Sequence, residues 1–402
     1  MKLFSAFLLL LTPWGSFAQG EVETLVNRAV QSYVASPHHR GLLVGIVEDG
    51  RQQFFSYGET TQGGHPLPDS VSLFEIGQLT EVFTTTLLAD LVMEGQLHTD
   101  DSLAKLFPPN VRVPAYARIA CEPEQLVLQS DGETDDPLLR TTRYQCIPAN
   151  LDQTAPILLC DLATHTTGLP GLKRRHFQRQ KNAVAPYTEA DLYRFMNGYE
   201  FNKPSSFIYR YSPLNTALLG LALSLKTGQP FEALLIDRIC GPIGLPDTRL
   251  TLNANQQQRL LAGHSRKGQP TPPGPSDALA PAAGLRSTAK DLLRFTAAQL
   301  GLIHDDWYFK VSFAHNPRYP VHQKGRPNGE VGLGWLLTPL GEAGTKVIWR
   351  QGQTGGFCAY LGFVKETNTG VVILSNTANA VDQIGVGLLG ELNQRRMVVK
   401  AR

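Results

Sequence analysis

The sequence lacks a long basic block and carries almost no net charge. Its 402 residues include 37 Lys and Arg against 35 Asp and Glu, which gives a formal net charge of +2. Proteins that bind nucleic acid concentrate Lys and Arg in patches or long runs. The basic run Arg174–Lys181 is short and isolated, and we interpret it as a solvated loop. We therefore expect no nucleic-acid partner.

Long hydrophobic runs are also missing, apart from one at the N-terminus. Lys2 precedes the apolar run Phe4–Leu11, and Ser16–Ala18 forms a small-x-small pattern. This order is typical of a signal peptide, and the run is too short to span a bilayer. We predict a signal peptide over residues 1–18, cleaved after Ala18. The mature protein should be exported to a bacterial periplasm and have no transmembrane segment.

Cysteine is scarce, and its spacing excludes the usual zinc motifs. The chain has no CxxC pair, and its histidines show no ligand spacing with carboxylates nearby. We expect neither a metal nor a cofactor. Cys121 and Cys146 bracket the acidic stretch Glu122–Asp136, so we predict a disulfide between them in an oxidising compartment. The odd number leaves at least one free thiol. The five residues are Cys121, Cys146, Cys160, Cys240 and Cys358.

Strand and helix patterns occupy different parts of the chain. A helix predicted over residues 21–36 is followed by a hairpin with an Asp-Gly turn in Glu48–Arg51. The last third contains four strand-like runs, and the middle is mostly helical. These four runs are Val331–Leu337, Lys346–Arg350, Phe357–Val364 and Gly370–Leu374. The main predicted helices are Thr188–Met196, Leu214–Leu225, Phe231–Ile239, Asn253–Leu261, Ala289–Leu300 and Asn376–Arg395.

The simplest architecture joins the two chain ends in one sheet. We predict an α+β fold, in which an antiparallel sheet flanked by helices carries an inserted, mostly helical domain. The sheet domain would comprise residues 19–75 and 283–402. The helical domain would comprise residues 76–282, with a surface insertion at about 110–155.

The stretch Phe74–Ala89, FEIGQLTEVFTTTLLA, predicts a turn followed by a buried helix. Its apolar residues recur at three- and four-residue spacing, so one helical face should be buried. Gln78 and Glu81 lie three residues apart in the first turn, and both would point into one pocket. Many hydrolases place a nucleophile and its base in such positions.

Three segments resemble the serine β-lactamase and penicillin-binding-protein family, in particular its class C β-lactamase, esterase and D-alanyl-D-alanine peptidase branch. They are GQLTEVF around Gln78, YRYSPLNTALLG around Tyr211 and WRQGQTGGFCAYLGF around Arg350. The resemblance runs from about residue 25 to 390, and it implies the family's fold, with the site in a cleft between sheet and helical domain. Further matching segments are Thr164–Pro170, Gly241–Thr248, Ala283–Phe295 and Gly332–Trp335.

The sequence departs from this family at the residues that carry the chemistry. The family has a Ser nucleophile and a Lys base where this chain has Gln78 and Glu81. In the second motif Tyr211 matches the family's Tyr, but Pro213 replaces its Asn. In the third motif Arg350 stands at the position of the family's Lys or His.

The remainder of the third motif is kept. Gly352 matches the family's Gly, and the resemblance implies that the backbone N–H of Gln353 is an oxyanion donor. Realigning the first motif recovers nothing, because Ser70 and Ser72 have Leu and Glu three residues later. No Lys lies between residues 41 and 104.

These replacements argue against acyl-enzyme chemistry at position 78. Gln has no nucleophilic oxygen, and losing the nucleophile of a serine hydrolase costs on the order of 10⁶ in turnover. Glu81 and Arg350 would instead form an ion pair across the site, with Gln78 as a neutral donor and acceptor. Uncoupled drift is the alternative. We interpret Tyr211 as an inherited wall residue and His165 as a residue that holds its loop by hydrogen bonding.

The function that we predict is an exported β-lactamase-like pseudoenzyme. It would bind a peptidoglycan-type peptide, a small acyl ligand or a partner protein. The alternative is a hydrolase in which Glu81 activates water as a general base and Arg350 stabilises the oxyanion. A plain interaction module with a closed cleft is the third possibility. The candidate ligand-binding residues are Gln78, Glu81, Tyr211, Arg350 and Gln353.

Overall fold

The computed structural model describes most of the chain. The described residues are 14–60, 66–117, 120–124, 143–147, 154–171, 187–201, 208–274, 277–303, 305–322, 329–341 and 344–400. Most of the predicted signal peptide, most of the acidic stretch and the basic run Arg174–Lys181 lie outside these ranges.

Both ends of the chain meet in one antiparallel sheet, as predicted. Its eight strands, within the described ranges, are β1 (Leu42–Glu48), β2 (Arg51–Tyr57), β3 (Tyr319–Val321), β4 (Gly329–Val331), β5 (Leu336–Pro339), β6 (Lys346–Gln353), β7 (Cys358–Val364) and β8 (Thr369–Ser375). Their spatial order is β2-β1-β8-β7-β6-β5-β4-β3. Leu42 of β1 lies opposite Ser375 of β8, so the N-terminal hairpin pairs with the last strand.

The turns explain where the strands end. Asp49 and Gly50 both have positive φ, 46° and 83°, which fits the type I′ turn predicted for the β1–β2 hairpin. The prediction of one strand over Val331–Leu337 is wrong, because β4 and β5 are separate antiparallel strands. Gly334, with a φ of 78°, lies in the turn between them.

Helices cover both faces of the sheet. The helices in the described part of the chain are Trp14–Val34, Thr80–Met93, Leu159–Ala163, Glu189–Gly198, Pro213–Thr227, Phe231–Leu235, Gly241–Ile243, Ala254–Arg259, Ala280–Ala283, Ala289–Gln299, Asp305–Ser312 and Asp382–Lys400. The helix predicted over Phe231–Ile239 becomes a π-helical turn after Leu235. The last helix begins at Asp382, later than predicted, because Asn376 bonds to the backbone of Gly41 and Thr60.

Two apolar clusters hold these layers together. The first and last helices pack on one face of the sheet, and Ala289–Gln299 packs on the other face together with the mostly helical middle of the chain. Residues of Thr80–Met93 lie inside the larger cluster. None of the helices in the described ranges combines the length and apolarity needed to cross a membrane.

Short ladders frame the predicted insertion. Tyr116–Ala117 pairs with Thr154–Ala155, and Ala120–Glu124 pairs with Arg143–Ile147. Cys121 lies directly opposite Cys146 in this second ladder. Paired residues have Cα atoms about 4.5–5.5 Å apart, a separation that a disulfide can bridge. The disulfide itself stays a prediction, as does the division into two domains.

Candidate active-site cleft

The helix that begins at Thr80 is buried on every side. A 3₁₀ turn, Gly77–Leu79, leads into Thr80–Met93, and every residue from Thr80 to Leu91 is buried. The sequence predicted only one buried face. The difference arises because threonine hydroxyls bond to backbone carbonyls, as Thr84 does to Pro281 at 2.7 Å, so polar residues can line the remaining faces.

Two glycines let strand β6 touch this turn. A Cβ on Gly352 would lie only 1.8 Å from the carbonyl oxygen of Ile76, so no side chain fits there. Gly77 has a φ of 51°, and a Cβ on it would lie 2.6 Å from the backbone nitrogen of Gln353. The close approach fixes the N–H of Gln353 against the first motif.

The side chain of Gln78 accepts the hydrogen bond from this backbone N–H. The N–H of Gln353 donates to Oε1 of Gln78 at 2.6 Å. The side-chain amide of Gln353 donates elsewhere, to the carbonyl of Ala378 at 2.8 Å. The backbone donor therefore already holds an amide carbonyl oxygen.

Glu81 and Arg350 form the predicted ion pair. Nη2 of Arg350 donates to Oε2 of Glu81, while the side chain of Glu81 is fully buried and that of Arg350 is 3% exposed. Burial of two charges is favourable only when further hydrogen bonds satisfy their remaining atoms. Three neighbouring side chains supply such contacts in this structure.

Three ring residues surround the ion pair. The hydroxyl of Tyr211 donates to Oε1 of Glu81 at 3.0 Å. Nε2 of His165 lies 3.3 Å from Oε2 of Glu81 and 3.2 Å from Nη2 of Arg350. Nη1 of Arg350 donates to the hydroxyl of Tyr209 at 3.4 Å. Tyr211 is therefore more than a wall residue, because it binds the carboxylate directly.

His165 also holds its own loop, as the sequence indicated. It has a φ of 55°, and its Nδ1 lies 3.1 Å from the carbonyl oxygen of Ser212 and 3.2 Å from the amide nitrogen of Asn215. Its two ring nitrogens thus connect the second-motif backbone to the ion pair. The sequence did not predict this second contact.

Burial and charge shift the pKa values in the cleft. Burial would raise the pKa of Glu81, but the Arg350 charge and the His165 contact together lower it below its usual value. Burial and the Glu81 charge raise the pKa of Tyr211 well above its usual value. Burial would lower the pKa of Arg350, but the Glu81 charge and its other contacts outweigh burial, so this pKa is raised above its usual value. At neutral pH the ion pair is therefore charged and Tyr211 keeps its proton.

Pro213 lies beside this network without a polar side chain. It is the first residue of the buried helix Pro213–Thr227, where a missing N–H costs nothing. The amide at Asn215, two positions later, accepts from Thr167 at 2.6 Å and contacts His165. Asn215 therefore supports the loop.

Tyr209 is the cleft residue that sequence reasoning missed. A signal was available, because Tyr209 and Tyr211 alternate in the segment YRY, and alternate residues of an extended segment share a face. In the described ranges, no group of three or more His, Cys, Asp or Glu residues could hold a metal ion. The assembled groups can hold a proton and donate hydrogen bonds, but positions 78 and 81 supply neither a nucleophile nor an amine base.

Comparisons with known proteins agree with this architecture. The profile of the beta-lactamase family matches residues 26–386. D-alanyl-D-alanine-carboxypeptidase/endopeptidase AmpH of Escherichia coli K12 is 26% identical over 341 residues, covering 82% of this chain and 77% of that protein. A beta-lactamase of Pseudomonas fluorescens is 22% identical, covering 89% of this chain and 94% of that protein.

The solved structures show the same fold. D-alanine carboxypeptidase AmpC from Burkholderia cenocepacia superposes with a TM-score of 0.68 at 22% identity, covering 93% of this chain and 99% of that one. A class C beta-lactamase superposes with a TM-score of 0.70 at 19% identity. Together with the family profile over most of the chain, these findings show that the protein belongs to the beta-lactamase family.

Proposed function

We propose that this member of the beta-lactamase family forms no acyl-enzyme and uses its cleft to bind a ligand. The observation that carries the proposal is the side-chain pair at the first motif. Oε1 of Gln78 accepts the N–H that an oxyanion would need, and Glu81 is buried in an ion pair with Arg350. Gln78 has no nucleophilic oxygen, and the carboxylate of Glu81 is held by Arg350 and Tyr211.

The proposed ligand is a peptidoglycan-type peptide or a related acyl compound. Support comes from the similarity to a D-alanyl-D-alanine-carboxypeptidase/endopeptidase and to beta-lactamases. Gln78, Tyr211 and Gln353 are each half-buried, so part of each residue is accessible to a ligand from solvent. The N-terminal pattern predicted above supports export of the protein to a periplasm.

The alternative, with Glu81 as a general base, meets a physical obstacle. A base must hold a lone pair near its proton donor and have a pKa near the working pH. Arg350 and His165 lower the pKa of Glu81, and both of its oxygens already accept hydrogen bonds or ionic contacts. We therefore expect poor proton abstraction by Glu81.

Covalent labelling tests the proposal. The protein is incubated with a fluorescent penicillin and a fluorophosphonate, and its intact mass is measured. We expect no adduct, and a stoichiometric adduct on a cleft residue would overturn the proposal. A serine beta-lactamase of the family, labelled in parallel, shows that both probes are active.

Turnover separates the alternative from the proposal. Nitrocefin and a p-nitrophenyl ester are assayed with the wild type and with Glu81→Gln. The proposal predicts no turnover above the buffer rate in either protein. Turnover that disappears in folded Glu81→Gln would support the general-base function instead.

A further inference from the structure

A second cavity lies in the helical part of the chain, apart from the cleft. Its volume is about 770 Å³, which is in the range of pockets that bind small molecules. One face of the helix Pro213–Thr227 forms a wall, through residues spaced three and four apart. These residues are Ala217, Gly220, Leu221 and Ser224. None of the candidate ligand-binding residues of the cleft, all of which the structure describes, lines this cavity.

Several apolar side chains of the lining are left partly uncovered. Leu221, Phe231 and Leu250 pack against the larger apolar cluster, but each is only half-buried. The wall beside them is tightly packed, because a Cβ on Gly220 would lie 2.3 Å from Cβ of Pro281. An apolar ligand group in the cavity would cover the half-buried side chains and leave water itself.

The charged side chains of the lining carry an excess of negative charge. Three carboxylates line the cavity, those of Glu189, Glu232 and Asp277. Arg286 is the only cation among the described lining residues. Nη2 of Arg286 lies 3.6 Å from Oε1 of Glu75, and the two side chains are 9% and 4% exposed. Because this buried partner balances the Arg286 charge, a cationic ligand group is favoured over an anionic one.

Glu189 is the carboxylate best placed to bind a cation. Glu232 is occupied, because it accepts from the backbone N–H groups of Leu250 and Thr251, both at 2.8 Å. Glu189 is exposed, and its Oε1 accepts from the hydroxyl of Tyr193. Its Oε2 has no partner among the residues that the structure describes. A ligand cation can therefore pair with Glu189 without displacing an existing bond.

Arg286 retains a donor for an oxygen atom of a ligand. The residue is 8% exposed, and its Nη1 donates to the carbonyl oxygens of Leu250 and Gly284, at 3.0 and 3.1 Å. Its Nη2 makes no hydrogen bond to a described residue, since the Glu75 oxygen is 3.6 Å away. Leaving a buried donor without an acceptor costs free energy. An uncharged carbonyl oxygen would supply the acceptor without disturbing the charge balance with Glu75.

We propose that this cavity binds an amino-acid amide with an apolar side chain, the group that the N-terminal residue of a peptide presents. The ammonium pairs with Glu189, and the amide carbonyl accepts from Nη2 of Arg286. The apolar side chain packs against Leu221 and Phe231. This binding does not depend on the function proposed for the cleft.

Three matched probes separate these contacts. Phenylalaninamide has the ammonium, the amide and the phenyl ring, hydrocinnamamide lacks the ammonium, and phenethylamine lacks the amide. Binding is measured by NMR titration at about pH 6, where an α-amino group is protonated. We expect phenylalaninamide to bind tightest. Loss of the ammonium should weaken binding about three- to fivefold, as for an exposed ion pair, and loss of the amide about tenfold.

Glu189→Gln tests the cation partner. The variant should remove the advantage of phenylalaninamide over hydrocinnamamide and leave the binding of hydrocinnamamide unchanged. The matched control is Asp237→Asn, which removes an exposed carboxylate outside the lining and should change neither affinity. An advantage retained in Glu189→Gln would overturn the cation partner. Hydrocinnamamide or phenethylamine binding to the wild type as tightly as phenylalaninamide would overturn the ligand class.

Ser224→Trp tests the location. Ser224 lines the cavity and is half-buried, so the indole ring should occupy the cavity and abolish binding. Leu225, the next residue of the helix, is 36% exposed and lies outside the lining, so Leu225→Trp should bind as the wild type does. Binding that persists in folded Ser224→Trp, or no saturable binding of phenylalaninamide to the wild type, would overturn the site. Should Ser224→Trp fail to fold, the Glu189→Gln comparison decides.

Discussion

Two parts of the cleft differ in how well they suit the family's chemistry: the backbone suits it, and the side chains at positions 78 and 81 do not. Gly77 and Gly352 bring the N–H of Gln353 against the first motif, as an oxyanion donor requires. Positions 78 and 81, on the same turn and helix, carry no nucleophile and no amine. Cleft geometry depends on backbone packing, so it can persist when the reactive side chains are replaced.

The polar side chains at the three motifs satisfy one another. Glu81 balances the charge of Arg350, Tyr211 and His165 contact the Glu81 carboxylate, and Tyr209 accepts from Arg350. Gln78 accepts from the backbone N–H of Gln353 beside the turn. This mutual satisfaction favours a coupled replacement over uncoupled drift. The predictions below test the side chains first and then the backbone.

The largest expected effect follows from breaking the ion pair. Glu81→Ala leaves the buried guanidinium of Arg350 without an anion, which should lower the free energy of unfolding by about 3–5 kcal/mol. Urea denaturation measures the change. The double variant Glu81→Met with Arg350→Met removes both charges and should recover most of the loss. A single-variant cost below about 1 kcal/mol would show that the pair is not held in a dry environment.

The close approach of strand β6 to the first-motif turn is tested at Gly352. Gly352→Ala places a Cβ 1.8 Å from the carbonyl oxygen of Ile76, so the strand must move. Overpacking of this kind costs about 1–3 kcal/mol. The matched control is Gly387→Ala in the last helix, where nothing lies within 4 Å of the new atom. The control should be neutral or stabilising, and an equal loss in both variants would contradict the close approach.

A second buried carboxylate, Asp291, lies outside the cleft, and its pKa can be compared with that of Glu81. Asp291 is 3% exposed and accepts from the N–H of Asp247 and the hydroxyl of Thr248. Burial raises the pKa of Asp291 to about 6, whereas the cation beside Glu81 lowers the pKa of Glu81. Burial of a carboxylate thus has opposite outcomes at the two positions, and a buried counter-charge decides which occurs.

The smallest expected effect is the pH dependence of this second carboxylate. Because the folded protein holds the Asp291 proton more tightly than the unfolded chain, stability falls as pH rises from about 4 to about 6. The contribution is about 1 kcal/mol between pH 5 and pH 7. Asp291→Asn should remove it, as measured by urea denaturation at both pH values. Equal pH dependence in the two proteins would contradict the raised pKa.

The contribution of Glu81 to stability depends on pH in the opposite direction. Its lowered pKa means that its contribution is complete above the ordinary carboxylate pKa of about 4.3 and is lost as the pH falls below it. The difference in stability between wild type and Glu81→Ala should therefore shrink on acidification below that pKa.

The sequence predicted the sheet and its assembly from both ends of the chain, because alternating apolar runs and an Asp-Gly turn are local signals. It also predicted the Glu81–Arg350 pair, because opposite charges replaced two groups that line one pocket in the resembling family. It missed Tyr209 and the second contact of His165. These contacts join residues that lie far apart in the sequence, and residue spacing alone contains no such information.

The central claim is that an intact cleft carries unreactive side chains. Its most direct test restores the family's groups with Gln78→Ser, Glu81→Lys and Pro213→Asn in one protein. Intact-mass analysis after fluorophosphonate treatment then compares this variant with the wild type. We predict an adduct on Ser at position 78 in the variant and none in the wild type. An adduct in the wild type, or none in the folded variant, would contradict the account.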